Sequence, residues 1–336
     1  MKTKLLVLVL AIAFSISCKK DAGLKPDKPS SSNLFAVNFK LTGFTVETKG
    51  MSVKGTGATL NGLKDQIKFL TYFVYKGSPD SLKLVKKIEQ KSIDASFGKI
   101  TDSLPAGKYK VFFVGSTSSG YRTGQNILSY VDWSYHPSLG FNTSSYSGYY
   151  GYTSSMGDTF LQQVDLDVQS AVNKNILLKR ITSKITFKIQ DAMPENVGKI
   201  VVSIGNAVPE FDMFSESAAY NTSHGYDFDD RVLPFNVKAT DQGKANLTFS
   251  AFIWPHSPYY PYFLDVYDKN NKLIKHKSLE VDSQIYALNA VANTEYIFSG
   301  YLFDSSQPAG FSVKVDDKWN APETIPFDDQ LKQPIL

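Results

Sequence analysis

Residues 104–115 read LPAGKYKVFFVG, and this stretch contains the pattern that decides the fold class. Pro105, Ala106 and Gly107 form a turn signal, and Tyr109, Val111 and Phe113 then place apolar groups at every second position. A period of two is typical of a β-strand, because successive side chains of a strand point to opposite faces. The stretch therefore predicts a turn followed by a strand.

The same period recurs along most of the chain. Apolar residues recur at alternate positions in 35–41, 67–75, 185–189, 200–204, 247–253, 262–266 and 296–301, and residues 268–271 predict a turn before a return strand at 273–277. Many short strands joined by turns indicate an all-β protein built from β-sandwiches. We expect two tandem sandwich domains, residues 34–175 and 176–303, followed by a C-terminal extension at 304–336.

One segment has the residue spacing of a helix instead. Phe160, Leu161, Val164 and Val168 follow one another at intervals of one, three and four residues, and Asp158 could cap the first turn. This pattern makes residues 158–172 the best helix candidate in the chain.

The N-terminal residues 1–17 have the order of a secretory signal. Two lysines precede an apolar run over residues 5–16, and small residues then precede Cys18. That run is too short for a transmembrane helix, which needs about 20 residues. The context resembles the bacterial lipobox, with Ser15 where leucine is usual. We expect cleavage before Cys18 and lipidation of Cys18, whose several acyl chains would hold the protein stably at a membrane.

Residues 18–33 begin with that cysteine and continue as a flexible tether rich in lysine, proline and serine. Lys19, Lys20 and Asp21 resemble the lysine-plus-acid signal that sends lipoproteins to the cell surface in Bacteroidota, although Ala22 interrupts it. The expected location is the outer membrane, lipid-anchored and exposed at the cell surface.

The composition excludes several kinds of chemistry. Cys18 is the only cysteine, so an intrachain disulfide, a thiolate metal site and a cysteine nucleophile are impossible. The net charge of +4 and the scattered arginines do not form a nucleic-acid-binding footprint. Four histidines lie without the spacing of a metal pair: His136, His224, His256 and His276. The sequence predicts no catalytic residue, no metal, no cofactor, no enzyme activity and no nucleic-acid partner.

Two aromatic-rich segments, residues 130–152 and 254–262, have two interpretations. Rings with a polar handle suit exposed recognition surfaces, but long loops also bury such rings over a sheet. The candidate recognition residues are Trp133, Tyr135, Trp254 and Tyr259.

Two short motifs indicate possible modification. Ser81 and Ser103 each lie in an Asp-Ser-Leu triplet, which resembles the acceptor for periplasmic O-glycosylation in Bacteroidota. Both triplets lie where turns are expected.

Four stretches in order resemble the fimbrillin-like family of Bacteroidota, which includes type V pilus subunits and their lipoprotein anchor, accessory and tip relatives. They are the lipobox followed by a tether and LFAVNFKL, then IKFLTYFVYKG with LPAGKYKVFFVG, then ILLKRITSKITFKI, and finally ANTEYIFSGYLF with FSVKVDDKW. The third stretch looks like the strand that opens the family's second domain.

The resemblance implies two β-sandwich domains of transthyretin-like topology, no enzyme activity, and association with other fimbrial subunits by β-strand addition. Elongating subunits of the family lose their first strand by proteolysis, in some cases after an arginine. No arginine precedes Arg122 here, which favours a non-elongating anchor, accessory or tip subunit with a role in adhesion to host or environmental glycans or proteins.

The C-terminal extension contains a candidate edge or donor strand. Phe311, Val313 and Val315 alternate with polar residues, Trp319 follows, and two prolines then end regular pairing. The strand either pairs within the protein or is donated to a neighbouring subunit.

The main alternative function is a surface glycan-binding lipoprotein of a polysaccharide-capture system. In that case exposed aromatic rings on one face would stack on sugars. Exposure of the four candidate rings distinguishes the two functions.

Overall fold

The computed structural model describes residues 33–48, 51–53, 60–78, 82–118, 121–128, 135–141, 143–145, 151–154, 156–204, 210–219, 230–255, 262–281, 284–285, 290–306 and 311–316. Within these residues the chain is mostly β-strand, with a single short α-helix, α1 (Leu60–Gln66). The predicted all-β fold is confirmed. None of the described helical residues belongs to a helix that is long and apolar enough to cross a membrane.

The strands are numbered along the chain. Those of the N-terminal half are β1 (Leu34–Thr48), β2 (Met51–Val53), β3 (Phe69–Lys76), β4 (Lys83–Lys91), β5 (Lys99–Pro105), β6 (Gly107–Ser116), β7 (Tyr121–Leu128), β8 (Tyr135–Phe141), β9 (Thr143–Ser145), β10 (Gly151–Ser154), β11 (Thr159–Val168) and β12 (Val172–Arg180). Those of the C-terminal half are β13 (Ser183–Ile189), β14 (Val197–Ile204), β15 (Glu210–Asp212), β16 (Ser217–Ala219), β17 (Asp230–Asn236), β18 (Leu247–Ile253), β19 (Tyr262–Asp268), β20 (Leu273–Ser278), β21 (Glu280–Val281), β22 (Gln284–Ile285), β23 (Glu295–Gly300) and β24 (Phe311–Asp316).

The first sheet has the order β2-β1-β12-β11-β6-β3-β4, with β5 also paired to β1. The seam between β11 and β12 is narrow, because only Phe160 with Arg180 and Leu161 with Lys179 are paired there. Across the seam the sheet folds back on itself, so that the ring of Phe39 in β1 lies 5.0 Å from the ring of Phe113 in β6. The first core, which fills this fold, contains apolar side chains of β1, β3, β5, β6, β11 and β12.

The second core lies between two further sheets. The second sheet has the order β20-β19-β14-β17-β10-β9, and the third has the order β18-β13-β23-β24. The alternating residues predicted from sequence meet here: Ile185, Phe187, Ile189, Ile200, Val202, Ile204, Leu264, Val266 and Phe298. Phe187 and Phe298, on neighbouring strands, stack with their ring centroids 5.3 Å apart. Period-two patterns on both sheets therefore produce one buried layer.

A third core joins the two halves of the chain. The central strands of the first sheet are apolar on both faces, so that Phe73, Tyr75, Phe112, Val114 and Leu161 point away from the first core. These side chains are covered by residues of the later strands and loops: Leu139, Ile181, Phe211, Met213, Phe252 and Trp254. The fourth sheet, in the order β16-β15-β8-β7, supplies part of this cover.

Two local predictions meet different outcomes. The turn at residues 268–271 is confirmed, because β19 and β20 pair as an antiparallel hairpin and the Asp268 carboxylate accepts the backbone N–H groups of Asn270 and Lys272 at 2.8 and 2.9 Å.

The predicted helix at 158–172 is wrong, because β11 occupies most of that segment. Phe160 belongs to the first core and Leu161 to the third, so consecutive apolar residues reflect a strand that is buried on both faces.

The stretch ILLKRITSKITFKI contains two strands and not one. The end of β12 belongs to the first sheet, while β13 belongs to the third. Because β12 spans residue 175, a domain division after residue 180 would leave every described strand whole. The division into domains and the transthyretin-like topology stay predictions.

Candidate assembly site

The N-terminal strand β1 occupies an interior position in the first sheet. Residues 34–40 pair antiparallel with β5, and residues 37–45 pair parallel with β12. Val37, Phe39 and Leu41 are at most 2% exposed and point into the first core. Backbone hydrogen bonds on both edges and apolar groups on one face together hold this strand in place. The position between β5 and β12 is therefore filled by the chain itself.

A polar cluster lies at the first core beside β1. The hydroxyl of Tyr72 donates to the Asp102 carboxylate at 3.3 Å, and Lys86 forms an ion pair with the same carboxylate. Burial, the negative charge of Asp102 and this hydrogen bond raise the pKa of the Tyr72 phenol above its ordinary value. Burial alone raises the pKa of Tyr75 to about 12. Both phenols therefore stay neutral, and their rings act as packing groups.

The C-terminal strand β24 lies at the edge of the third sheet and pairs antiparallel with β23. Phe311 is 3% exposed and joins the second core, Val313 is half-buried, and Val315 is 52% exposed. Burial therefore decreases along the strand from its first residue to its last. Among the described strands of this sheet, none pairs with the outer edge of β24.

The segment before β24 is fixed by a buried carboxylate. Asp191, which follows β13, accepts the backbone N–H groups of Leu302 and Asp304, the latter at 2.7 Å. The ammonium group of Lys277 lies 5.6 Å from the centroid of the Phe311 ring. These contacts position the start of β24 over the second core.

A buried ion pair lies where the two halves of the chain meet. The Nε and Nη2 groups of Arg180 donate to the Asp158 carboxylate at 2.9 Å, and the side chains of Arg180 and Asp158 are 3% and 0% exposed. The hydroxyl of Thr182 donates to the same carboxylate at 2.9 Å. The Nη1 group of Arg180 donates at 2.8 Å to the side chain of Asn293, just before β23. Asp158 therefore binds an arginine and does not cap a helix.

This junction follows from residues that the sequence analysis did not select as a site. The available signal was an arginine between apolar residues in a chain with few arginines. A buried guanidinium requires a counter-charge and partners for its remaining donors. The partner, 22 positions away, is adjacent only because β11 and β12 pair at this seam.

The aromatic recognition residues are not brought together in the described structure. Trp254 is 2% exposed, and its ring packs 5.2 Å from that of Phe211 in the third core. The prediction of an exposed recognition ring is therefore wrong for Trp254. Trp133 and Tyr259 lie outside the described residues, as does the side chain of Tyr135 at the start of β8.

Of the other predicted site residues, some lie within the described structure and others lie outside it. Ser103 is exposed but lies within β5, so the expected turn at this triplet is wrong. Cys18, Ser81 and Trp319 lie outside the described residues. Across the described ranges, no group of three or more histidine, cysteine or acidic residues could hold a metal ion.

The fold and these strands define a class: an all-β protein of packed sheets whose first described strand lies inside one sheet and whose last described strand forms the edge of another. Residues 40–323 match the model of the fimbrillin-A associated anchor proteins Mfa1 and Mfa2. The chain belongs to this family, and the resemblance described above is confirmed.

Solved structures of proteins from Porphyromonas and Bacteroides are similar to this chain. The fimbrial anchor protein Mfa2 of Porphyromonas gingivalis is 12% identical, with 87% of this chain and 100% of that chain covered and a TM-score of 0.43. The tip fimbrial protein Mfa3 of the same organism, with a C-terminal truncation, is 13% identical, with 84% and 99% covered and a TM-score of 0.38. A candidate polysaccharide-binding protein of Bacteroides thetaiotaomicron is 12% identical, with 86% and 98% covered and a TM-score of 0.49. No curated protein matches this chain in sequence.

Proposed function

We propose that this protein is a non-catalytic fimbrial subunit of the cell surface, held at the outer membrane by lipid on Cys18. Its role is that of an anchor, accessory or tip component. Family membership over residues 40–323 supports the fimbrial role. The lipobox-like context of Cys18 and the following lysines support the anchoring.

The observation that carries the non-elongating role is the position of β1. A subunit that polymerises by strand exchange must vacate a groove for the strand of its neighbour. Here β1 is paired on both edges, and Phe39 is buried between Tyr72 and Phe113, at ring distances of 5.6 and 5.0 Å. No arginine precedes Arg122, so cleavage after an arginine cannot release this strand, and the protein is suited to end a fimbrium and not to extend it.

Affinity isolation from native membranes tests the fimbrial role directly. The full-length protein should co-purify with other fimbrial subunits in detergent extracts. Recovery of the protein without any surface subunit, under conditions that keep fimbriae intact, would contradict the proposal.

Substituting Cys18 by alanine should move the protein from the detergent phase to the aqueous phase in a phase-partition experiment. The acyl chains provide the membrane affinity, and about 0.8 kcal/mol is gained per buried CH₂ group. Ser17→Ala is the matched control, because it keeps a small residue before the cysteine and should leave partitioning unchanged. Detergent partitioning of the Cys18→Ala protein would place the anchor elsewhere.

Deleting residues 311–336 tests the role of β24. Loss of Phe311 from the second core should lower the free energy of unfolding by about 3 kcal/mol or more, the usual cost of removing a buried phenylalanine side chain. Deleting only residues 317–336 is the matched control and should leave stability unchanged. Denaturant unfolding and affinity isolation are measured on both proteins.

The two deletions also distinguish the two uses of the C-terminal segment. If β24 only completes the third sheet, the shorter deletion keeps both stability and association. If the segment is donated to a neighbour, loss of Trp319 and its surroundings should abolish association while the fold stays stable. A 311–336 deletion that changes neither property would mean that the segment is only a tail.

A further inference from the structure

The outward face of β5, β1 and β12 carries a regular array of polar side chains. Phe39 and Ile100 point into the first core and are each 2% exposed, so their strand neighbours point outward. Cross-strand pairing arranges these outward residues in two rows: Thr101, Asn38 and Asn173 in one, and Lys99, Lys40 and Asn175 in the other. We call these six residues the amide–lysine face.

The amide–lysine face lines a shallow cavity of about 440 Å³. Neighbouring strands lie about 4.8 Å apart and outward residues of one strand about 7 Å apart, so the two rows span about 10 by 7 Å. These dimensions match a disaccharide unit.

The charge of this face is unbalanced. Lys40 and Lys99 are directly opposite on antiparallel strands, a position in which like charges repel. None of the residues lining the cavity is acidic, and no ion pair of either lysine is formed within the described residues. The Cβ atoms of such a directly opposed pair lie about 4.5–5.5 Å apart, so both flexible side chains can direct their ammonium groups at a single anionic group.

The second row supplies neutral hydrogen-bonding groups beside that charge. The Asn38 amide donates to the Asn173 amide oxygen at 3.1 Å, which fixes both amides side by side on the surface. Each amide keeps further donors and acceptors, and Thr101 adds a hydroxyl group. Outward apolar side chains are absent from the lining set, so an apolar peptide has no group to bury here.

We propose that the amide–lysine face binds an acidic oligosaccharide. A carboxylate or sulfate on one sugar lies between Lys40 and Lys99, and the hydroxyl groups of the adjacent sugar bind Asn38, Asn173 and Thr101. The proposal concerns a ligand site on the first sheet and does not depend on the fimbrial role.

The test measures binding of hexagalacturonate to the full-length protein by titration calorimetry. The same oligosaccharide with its carboxylates methyl-esterified is the neutral comparison, and we expect it to bind roughly tenfold more weakly, since charge-assisted hydrogen bonds are about twice as strong as neutral ones. The double variant K40Q/K99Q should lose binding of the acidic sugar by at least about tenfold. Its thermal midpoint should not fall, because the change removes a repulsion.

A matched control has the same change in net charge elsewhere on the same sheet. K83Q/K91Q alters two exposed lysines of β4 and should leave binding within about twofold of the native value. A second variant, N173D, keeps the shape of an exposed residue but adds a negative charge to the array, and should also weaken binding of the acidic sugar.

Three results would overturn the proposal. Equal binding of the esterified sugar would remove the role of the lysine pair. An equal loss of hexagalacturonate binding in K83Q/K91Q would indicate nonspecific electrostatic attraction between the protein and the sugar. In the third result, hexagalacturonate does not bind, but polyglutamate does, or vesicles with equal parts of phosphatidylglycerol and phosphatidylcholine do, and this binding is lost in K40Q/K99Q. That result would assign the face to an acidic protein or a membrane instead.

Discussion

Replacing Asp158 with alanine is expected to lower the free energy of unfolding by about 3–5 kcal/mol, the usual cost of leaving one partner of a buried ion pair uncompensated. The Arg180 guanidinium would remain in the interior, where its side chain is 3% exposed, without the carboxylate that accepts its Nε and Nη2 hydrogen bonds. The hydroxyl of Thr182 would lose its acceptor as well. Denaturant unfolding monitored by tryptophan fluorescence measures the effect.

A surface pair in the same sheet provides the control. Asp165 forms an ion pair with Lys110, but its side chain is 80% exposed. Asp165→Ala should therefore cost about 1 kcal/mol or less. A cost above about 3 kcal/mol for this control, or below about 1 kcal/mol for Asp158→Ala, would contradict the assignment of the junction as an ion pair on which folding depends.

A double variant separates the worth of the pair from the cost of breaking it. Asp158→Leu with Arg180→Met removes both charges and refills part of the space, and should be more stable than Asp158→Ala alone. The difference between the free energies of unfolding of these two variants measures how much of the Asp158→Ala loss comes from leaving the Arg180 guanidinium without its carboxylate. If the double variant loses more free energy of unfolding than the two single changes added together, the loss comes mainly from the surrounding polar groups instead.

Replacing Phe112 with alanine is expected to cost about 3–5 kcal/mol, because the ring is fully buried and a cavity would remain. Phe112 packs edge-on against Tyr75, with 5.6 Å between the ring centroids, in the core that both halves of the chain share. The loss should therefore appear in the unfolding of both halves, as one cooperative transition at a lower denaturant concentration.

Val85→Ala is the control for Phe112, since Val85 is 51% exposed on the edge strand β4. It should change stability by less than about 0.5 kcal/mol. Two separate transitions in Phe112→Ala, with only the N-terminal one shifted, would indicate that the third core does not couple the halves. Calorimetry and denaturant unfolding both distinguish these outcomes.

Alternation identifies a strand where the two faces carry different residue types. In β13 both faces are largely buried, but the residues between Ile185, Phe187 and Ile189 are polar, and the resulting alternation predicted the strand. In β11 both faces are covered, so Phe160 and Leu161 are consecutive apolar residues. That spacing resembles a helix, and the rule of alternation failed there for a physical reason.

The sites depend on pairing between distant strands, which no local pattern specifies. Asn38 and Asn173 are 135 positions apart and meet only because β1 and β12 are parallel neighbours. Trp254 illustrates the converse case, since its aromatic surroundings in sequence are compatible with either exposure or burial, and the third core buries it. The residue types indicate which chemical groups lie at these positions, but the strand register determines which of those groups are neighbours.

The pairing of β1 has a mechanical consequence for a protein held by its N-terminal segment. The described fold begins with β1 at residue 34, and β1 is bonded to β5 and β12 on its two edges. Hydrogen bonds of a sheet run across the strands, so a pull directed along β1 loads these bonds in shear. The bonds along both edges then share the load and must break together, instead of opening one after another as in a peeled hairpin. If the lipid proposed on Cys18 holds the protein, a force on its N-terminus would therefore act on a strand geometry that resists extension.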